Sequence, residues 1–252
     1  MLIGSVNWDN AGDHFFYTGI DGVAFYVEDG NGWYGPANPW SGVTAVNESP
    51  SGAESNKQYA DNIEYLNLIS KEEFALTLEA FQVPEAFDAC DGISSINGML
   101  VRGQRRKSFG LVYRVKKGSD AVDAGGAVNA DYGVANVGSG EGYVYHIVYG
   151  CRATPSSRDF GTVNDSPEAV TFSYEINTTA LSYDSVKFGS NLTDIKEIVH
   201  IEIDASRLTQ YQLNQLIAVL YGTESSGTFT PAAAMPTPKD LYDACVAVQP
   251  AG

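Results

Sequence analysis

Apolar and polar side chains alternate with a period of two along several short stretches of this chain, the mark of strands with one wet face. In the run Phe74-Ala75-Leu76-Thr77-Leu78-Glu79-Ala80-Phe81, Phe, Leu, Leu and Ala share one face, and Ala, Thr, Glu and Phe share the other. In Thr171-Phe172-Ser173-Tyr174-Glu175-Ile176-Asn177 the polar set occupies one face without interruption. The same pattern predicts strands over 109–116, 143–151, 169–178 and 198–204. Shorter runs over 23–27, ended by the turn residues Glu28-Asp29-Gly30-Asn31-Gly32, and over 42–46 predict two more. Parallel sheets covered by helices read as continuous apolar runs, whereas antiparallel sheets tolerate a solvated face, so the pattern predicts an antiparallel β-sandwich or barrel.

Helical periodicity is sparse. Leu213, Leu216, Ile217 and Leu220 recur at helical spacing between Thr209 and Gly222 and predict an amphipathic helix over 209–221. Pro84-Glu85-Ala86-Phe87-Asp88-Ala89-Cys90, stopped by Asp91-Gly92, predicts a second helix of about two turns. The fold class is therefore all-β with one or two flanking α-helices. Residues 47–62 and the Gly-rich 118–142 follow neither period, and loops of that length point to contact surfaces. The phrase Val46-Asn47-Glu48-Ser49-Pro50 returns as Val163-Asn164-Asp165-Ser166-Pro167. Asx-Ser-Pro is turn chemistry, and because the residues after the two copies are unlike, two separate turns explain it better than an internal duplication.

Composition sharpens this picture. In 252 residues there are 26 Gly and 15 Tyr but 3 Met, a balance that suits strands and tight turns. A formal net charge of −16 argues against any grip on nucleic-acid phosphates. The basic cluster Arg102, Arg105, Arg106 and Lys107 reads as local charge pairing. Cys90, Cys151 and Cys245 are odd in number and widely spaced, giving neither a disulfide framework nor a metal pair, so a reducing compartment is expected. The start MLIGSVNWDN lacks a signal-peptide pattern, and no apolar run is long enough to span a bilayer, so a soluble chain made in a cytoplasm is expected.

Catalytic patterns are missing from the sequence, and the chain reads as a non-enzyme without cofactor or metal. His14, His146 and His200 have no H-x-x-H or H-E-x-x-H spacing, and the last two fall inside predicted strands. No G-x-S-x-G elbow occurs, and Gly138-Ser139-Gly140-Glu141-Gly142 leads into Tyr143-Val144-Tyr145, which reads as strand and so makes no phosphate cradle. Asp29-Gly30-Asn31-Gly32 is followed by Trp33 where a calcium loop needs its third ligand. Glu79 and Glu175 would suit a glycosidase only at a separation that sequence does not give. The segment Asn31 to Trp40, with Trp33, Tyr34 and Trp40, could stack on a sugar, which keeps a secreted carbohydrate-binding module as the alternative.

A set of phrases gives a sharper reading. These are Gly19-Ile20-Asp21-Gly22-Val23, GVTAVNESPSGAE (42–54), YADNIEYLNLISKEEFALTLEAF (59–81), FDACDG (87–92), GQRRKSFGLVYR (103–114), YHIVYGCRATPSS (145–157) and VNDSPEAVTFSYEINTT (163–179). In order and wording they resemble the major tail tube protein of long-tailed, non-contractile bacteriophages, over about residues 19–222. The tubes of contractile tails and type VI secretion machines share the implied fold but match these phrases less well. The resemblance implies a β-sandwich with a flanking helix, assembled as homohexameric rings that stack into a virion tail tube. Rings built in the host cytoplasm would meet tape measure, distal tail and tail terminator proteins, while viral DNA passes through without specific binding and no membrane is involved. It divides the chain into an N-terminal arm (1–18), the tube domain (19–222) and a C-terminal arm (223–252), the arms carrying no family phrase.

Two sets of residues gain expected roles from this resemblance. Thr77, Glu79, Ser173, Glu175 and Asn177 are expected to face the bore, where negative charge repels the duplex over a reach of about 10 Å at 0.1 M salt. Asn47, Glu48, Ser49, Pro50, Glu54 and Lys57 are expected in a loop that contacts a neighbouring ring or subunit and is mobile in a monomer.

Overall fold

A computed structural model of the chain describes residues 2–3, 6–7, 15–52, 54–70, 72–119, 142–155, 162, 169–186, 195–225 and 228–249. Most of 118–142 and the second phrase, 163–167, lie outside them. The main sheet contains β1 (Phe15–Val27), β2 (Asn38–Pro39), β3 (Val43–Glu48), β4 (Ala75–Ala80), β5 (Phe109–Ser119), β6 (Tyr143–Ala153), β7 (Phe172–Thr178) and β8 (His200–Asp204). Their order is β2-β1-β5-β6-β7-β4-β3, with β8 also on β6, and each of these pairings is antiparallel. The chain is all-β with flanking helices.

The alternation that predicts the strands also builds the core. Val23, Phe25, Leu76, Leu78, Leu111, Val148, Tyr174 and Ile176 turn to one side and bury an aromatic cluster of Trp40 and Phe87 among them. Trp40 lies 4.5 Å from Phe87, ring centre to ring centre, and Phe87 meets Phe25, Phe109 and Tyr174 edge-on. The sheet curls around this cluster until β1, near one end, approaches β3 at the other without pairing. A slot of about 530 Å³ lies between them, bordered by Thr18, Ile20, Thr44 and Val46. The opposite face, with Tyr26, Val112, Tyr145, Ile147 and Tyr149, is covered by two helices, α1 (Gln210–Tyr221) and α2 (Pro238–Val246).

Strand β6 holds the sheet together by changing partners. Its residues 144–148 pair with β8, and its residues 151–153 pair with β7. Gly150 sits at the change with φ of 62°, beside a bulge in the β5–β6 register. The extra residue shifts the alternation by one, so Val148 and Cys151 both enter the same core. Between β1 and β5, Arg114 stands opposite Asp21 and donates to its carboxylate at 2.5 Å, joining two of the phrases that carry the resemblance.

Several expectations need correction. The segment 84–90 forms a single 3₁₀ turn, Glu85–Phe87, because its amides bond three residues back: Asp88 N–H to Glu85 C=O, and Cys90 N–H to Phe87 C=O. Helix α1 matches its prediction, with a Thr209–Gln212 capping box and buried Leu213, Leu216 and Leu220. The predicted strand 198–204 is β8 over 200–204, and Ile198 instead ends a separate strand, Ile195–Ile198, paired with Leu181–Val186. The first strand of the main sheet starts at Phe15, inside the expected N-terminal arm. Beyond residue 222 the chain folds as a hairpin, Gly222–Ser225 with Thr228–Pro231, continues into α2, and buries Ala232, Met235, Leu241 and Ala244. The first VNESP phrase is extended and makes no turn: Ser49 and Ser51 amides still bond to Ala75 and Glu73. Pro50 falls between them on an edge strand, where a missing amide costs no ladder bond.

Candidate functional site

Two surfaces and one partly buried cluster gather the residues with chemical or assembly potential. The first surface is a polar wall. Ser173 stands opposite Glu79 and Glu175 opposite Thr77 across the β7–β4 ladder, and Asn177 continues the row opposite Ala75. All five residues expected at the bore therefore share one face, with Leu76, Leu78, Tyr174 and Ile176 buried behind them. Asn47 of β3 adjoins the same row opposite Thr77.

The second surface consists of two hairpins that leave the sheet. Ser55–Ala60 pairs with Ile63–Ile69 through the two-residue turn Asp61-Asn62, both with positive φ. Ile93–Ile96 pairs with Met99–Arg102 through Asn97-Gly98, again both with positive φ. Turns of this kind match strand twist and close hairpins tightly. The segment 47–62 is thus strand, connection and hairpin, carrying Glu54 at its base and Lys57 in an ion pair with Glu64 at 2.9 Å. Tyr59, Ile63, Tyr65, Leu66 and Leu68 on the first hairpin are exposed, as are Ile96, Met99 and Leu100 on the second.

Glu48 departs from its expected place in a surface loop. It ends β3 and turns its carboxylate inward, where the Tyr113 hydroxyl donates to its Oε1 at 2.5 Å and His146 Nδ1 lies 3.3 Å away. His146 stands opposite Tyr113 on β5 and opposite Glu202 on β8. Two residues along β8, His200 places Nε2 3.1 Å from His146 Nδ1. The rings form a column: Tyr113 on His146 at 4.7 Å, His146 on His200 at 5.2 Å, and His200 on Phe74 at 4.6 Å. The His146 and Tyr113 hydrogen bonds hold the Glu48 carboxyl down to about 2, against the opposing effect of burial. Burial is the larger influence on His200 and pulls it below the ordinary imidazole value, with Glu48 acting in the other direction. The Glu48 carboxylate, kept ionised in this setting, offers lone pairs to a cation. One ligand atom from each of Glu48, His146, His200 and Glu202 lies within 4.8 Å of every other.

The aromatic segment divides. Trp33 is 74% exposed, whereas Trp40 is 2% exposed and donates its indole N–H to the Gln82 carbonyl, so the two do not form one stacking platform. Asp29 accepts from the amides of Asn31 and Trp33 and shapes a turn. In the basic cluster, Arg102 and Arg106 pair with Asp91 as local pairing predicts. Among the described residues no helix is long and apolar enough to cross a membrane.

The sequence matches no model of a protein family and no curated protein. The hairpin at 93–102 was legible in Asn97-Gly98 between Ile96 and Met99, a strong turn signal. The His–Glu cluster has no such local signal, since antiparallel pairing assembles it from residues as far apart as 48 and 202.

Proposed function

We propose that this chain is a structural protein that assembles with further copies of itself into stacked rings, forming the tube of a long, non-contractile bacteriophage tail. The observation that carries this reading is the apolar cover of the two outlying hairpins. A two-stranded hairpin is marginal alone in water, and one that also exposes Tyr59, Ile63, Tyr65, Leu66 and Leu68 is stabilised by a surface that covers it. The occupant is a second copy of the chain, because closing strands into a ring also shields the open edges β2 and β3.

The polar wall fits the same scheme. Facing an aqueous bore, Glu79 and Glu175 repel passing DNA, and the net charge of −16 is multiplied in a ring of copies. The tube is then a passive conduit in the virion, meeting tape measure, distal tail and terminator proteins at its ends. The sequence phrases that resemble tail tube proteins also support it, and the phrase over 59–81 includes most of the first hairpin.

Sedimentation velocity and negative-stain microscopy across a concentration series test this reading, with chemical cross-linking to capture rings. Rings or tubes are expected from the native chain, and their loss is expected in Leu66→Glu/Leu68→Glu at unchanged melting temperature. A native chain that stays monomeric at every concentration, with no cross-linked ladder, overturns it.

A further inference from the structure

We propose that Glu48, His146, His200 and Glu202 bind one divalent transition-metal ion of the Zn²⁺ class, which ties the edge strand β3 to the central strands β6 and β8. The four side chains come from three strands, and their ligand atoms lie within 4.8 Å of one another. Bonds of about 2.0–2.1 Å in a tetrahedron set ligand atoms about 3.4 Å apart. The His146–His200 and His146–Glu48 separations of 3.1 and 3.3 Å, hydrogen-bond contacts in the metal-free chain, already stand near that spacing, so a metal would take the place of the proton on His146 Nδ1, released to solvent. Glu202 supplies the remaining closure, because its side chain is 59% exposed and can rotate inward.

The donor set names the ion class. Two imidazoles with two carboxylates suit Zn²⁺ and its neighbours, whereas Ca²⁺ and Mg²⁺ take oxygen ligands. The surroundings fix the ligands in the manner of a built site. Tyr113 orients Glu48 through its hydroxyl, and the ring column Tyr113, His146, His200, Phe74 fixes both imidazole planes. Among the described residues the ion pairs of Glu48 and Glu202 run to these imidazoles and to no lysine or arginine. A cation would balance the two carboxylates where, among the described residues, no lysine or arginine does. The slot between β1 and β3, lined by Glu48 and Tyr113, gives an ion its route from solvent.

A bound ion would clamp the curled sheet. In the strand order β3 is separated from β6 by β4 and β7, so a shared metal joins strands that no backbone ladder connects directly. Metal would therefore add to the stability of the closed form.

The test uses the full chain, stripped with a chelator and titrated with Zn²⁺ against a chromogenic chelator, with Co²⁺ as a spectroscopic probe. One equivalent of Zn²⁺ is expected to bind, to raise the melting temperature, and to be mimicked by Co²⁺ with an intense tetrahedral visible band. Glu202→Gln, an exposed change that leaves folding intact, is expected to weaken binding by about tenfold or more. His200→Asn should remove the melting shift, and Glu79→Gln on the polar wall should leave both unchanged. No binding at about 0.1 mM Zn²⁺, or equal binding by Glu202→Gln and the native chain, overturns the proposal. If His200→Asn does not fold, the Glu202→Gln comparison decides alone.

Discussion

Arg106 places its guanidinium 3.2 Å from the carboxylate of Asp91, whose side chain is only 4% exposed. The same guanidinium donates to the carbonyls of Ala153 and Thr154, at the end of β6. Breaking a buried pair leaves a charge without compensation, so Arg106→Ala is expected to destabilise by about 3 kcal/mol. Arg102, 3.7 Å from Asp91, moderates the loss. Urea unfolding checks it, and Asp91→Asn added to Arg106→Ala should recover part of the loss.

The two tryptophans of the aromatic segment should respond differently. Trp40→Ala empties a site packed against Phe25, Phe87 and Tyr174 and is expected to cost about 3–5 kcal/mol. Trp33→Ala, at an exposed turn, should change stability by less than about 0.5 kcal/mol. Thermal melts of the two variants decide between a core and a surface role for each.

Gly150 tolerates no side chain. An added Cβ would sit 2.0 Å from the Thr179 carbonyl oxygen, at a φ of 62° that L-residues disfavour. Gly150→Ala is expected to destabilise by at least about 2 kcal/mol and to loosen the junction of β6 with β7 and β8. Hydrogen exchange at Thr179, whose amide bonds to Gly150, should report that loosening locally.

The polar wall gives a test of the bore. Glu79→Lys/Glu175→Lys should leave folding and ring formation intact, because both side chains point away from the core. Tubes carrying the new lysines should retain DNA on sedimentation at low salt and release it at high salt. Tubes that ignore DNA would place these residues on the outer surface.

The cysteines predict a reactivity order. Burial pushes the Cys90 thiol up to about 12, so at pH 8 only about one molecule in ten thousand carries its thiolate. Burial raises Cys151 as well, and it raises Cys245, which is only partly buried. Mass spectrometry after alkylation at pH 8 should find Cys245 modified first. Raising the pH to 10 should still leave buried Cys90 reacting more slowly than Cys245, and all three should react after unfolding in urea.

Most of the sheet was readable because burial imposes a period of two: Leu76, Leu78, Tyr174 and Ile176 are all inside, as their alternation requires. Helix α1 was equally plain from its leucines and its Thr209 cap. Helix α2 was hidden, although Thr237, Pro238 and Asp240 form a capping box with proline at the start. Its apolar stripe is short, and the prolines around it read as linker. Short-range signals also missed β3 running through Asn47 and Glu48, since a strand edge and a turn use the same residues there. Glu48, His146, His200 and Glu202 illustrate the deeper difficulty. Each is an ordinary polar residue on a strand, and their meeting depends on the register of β6 with β8 and on the curl that brings β3 across.

The tight turn at Asp61-Asn62 also sets an order in time. A hairpin closed by two residues forms in about 1–10 μs, before long-range strands find one another. The main sheet waits for pairings such as Phe25 with Leu111, and non-local antiparallel folds of this kind take milliseconds to seconds. The chain thus forms and re-forms its marginal apolar hairpin, and exposes it to other chains, while its own body is unformed. Newly made copies are most prone to premature association during that interval, and a formal net charge of −16 on each copy opposes it.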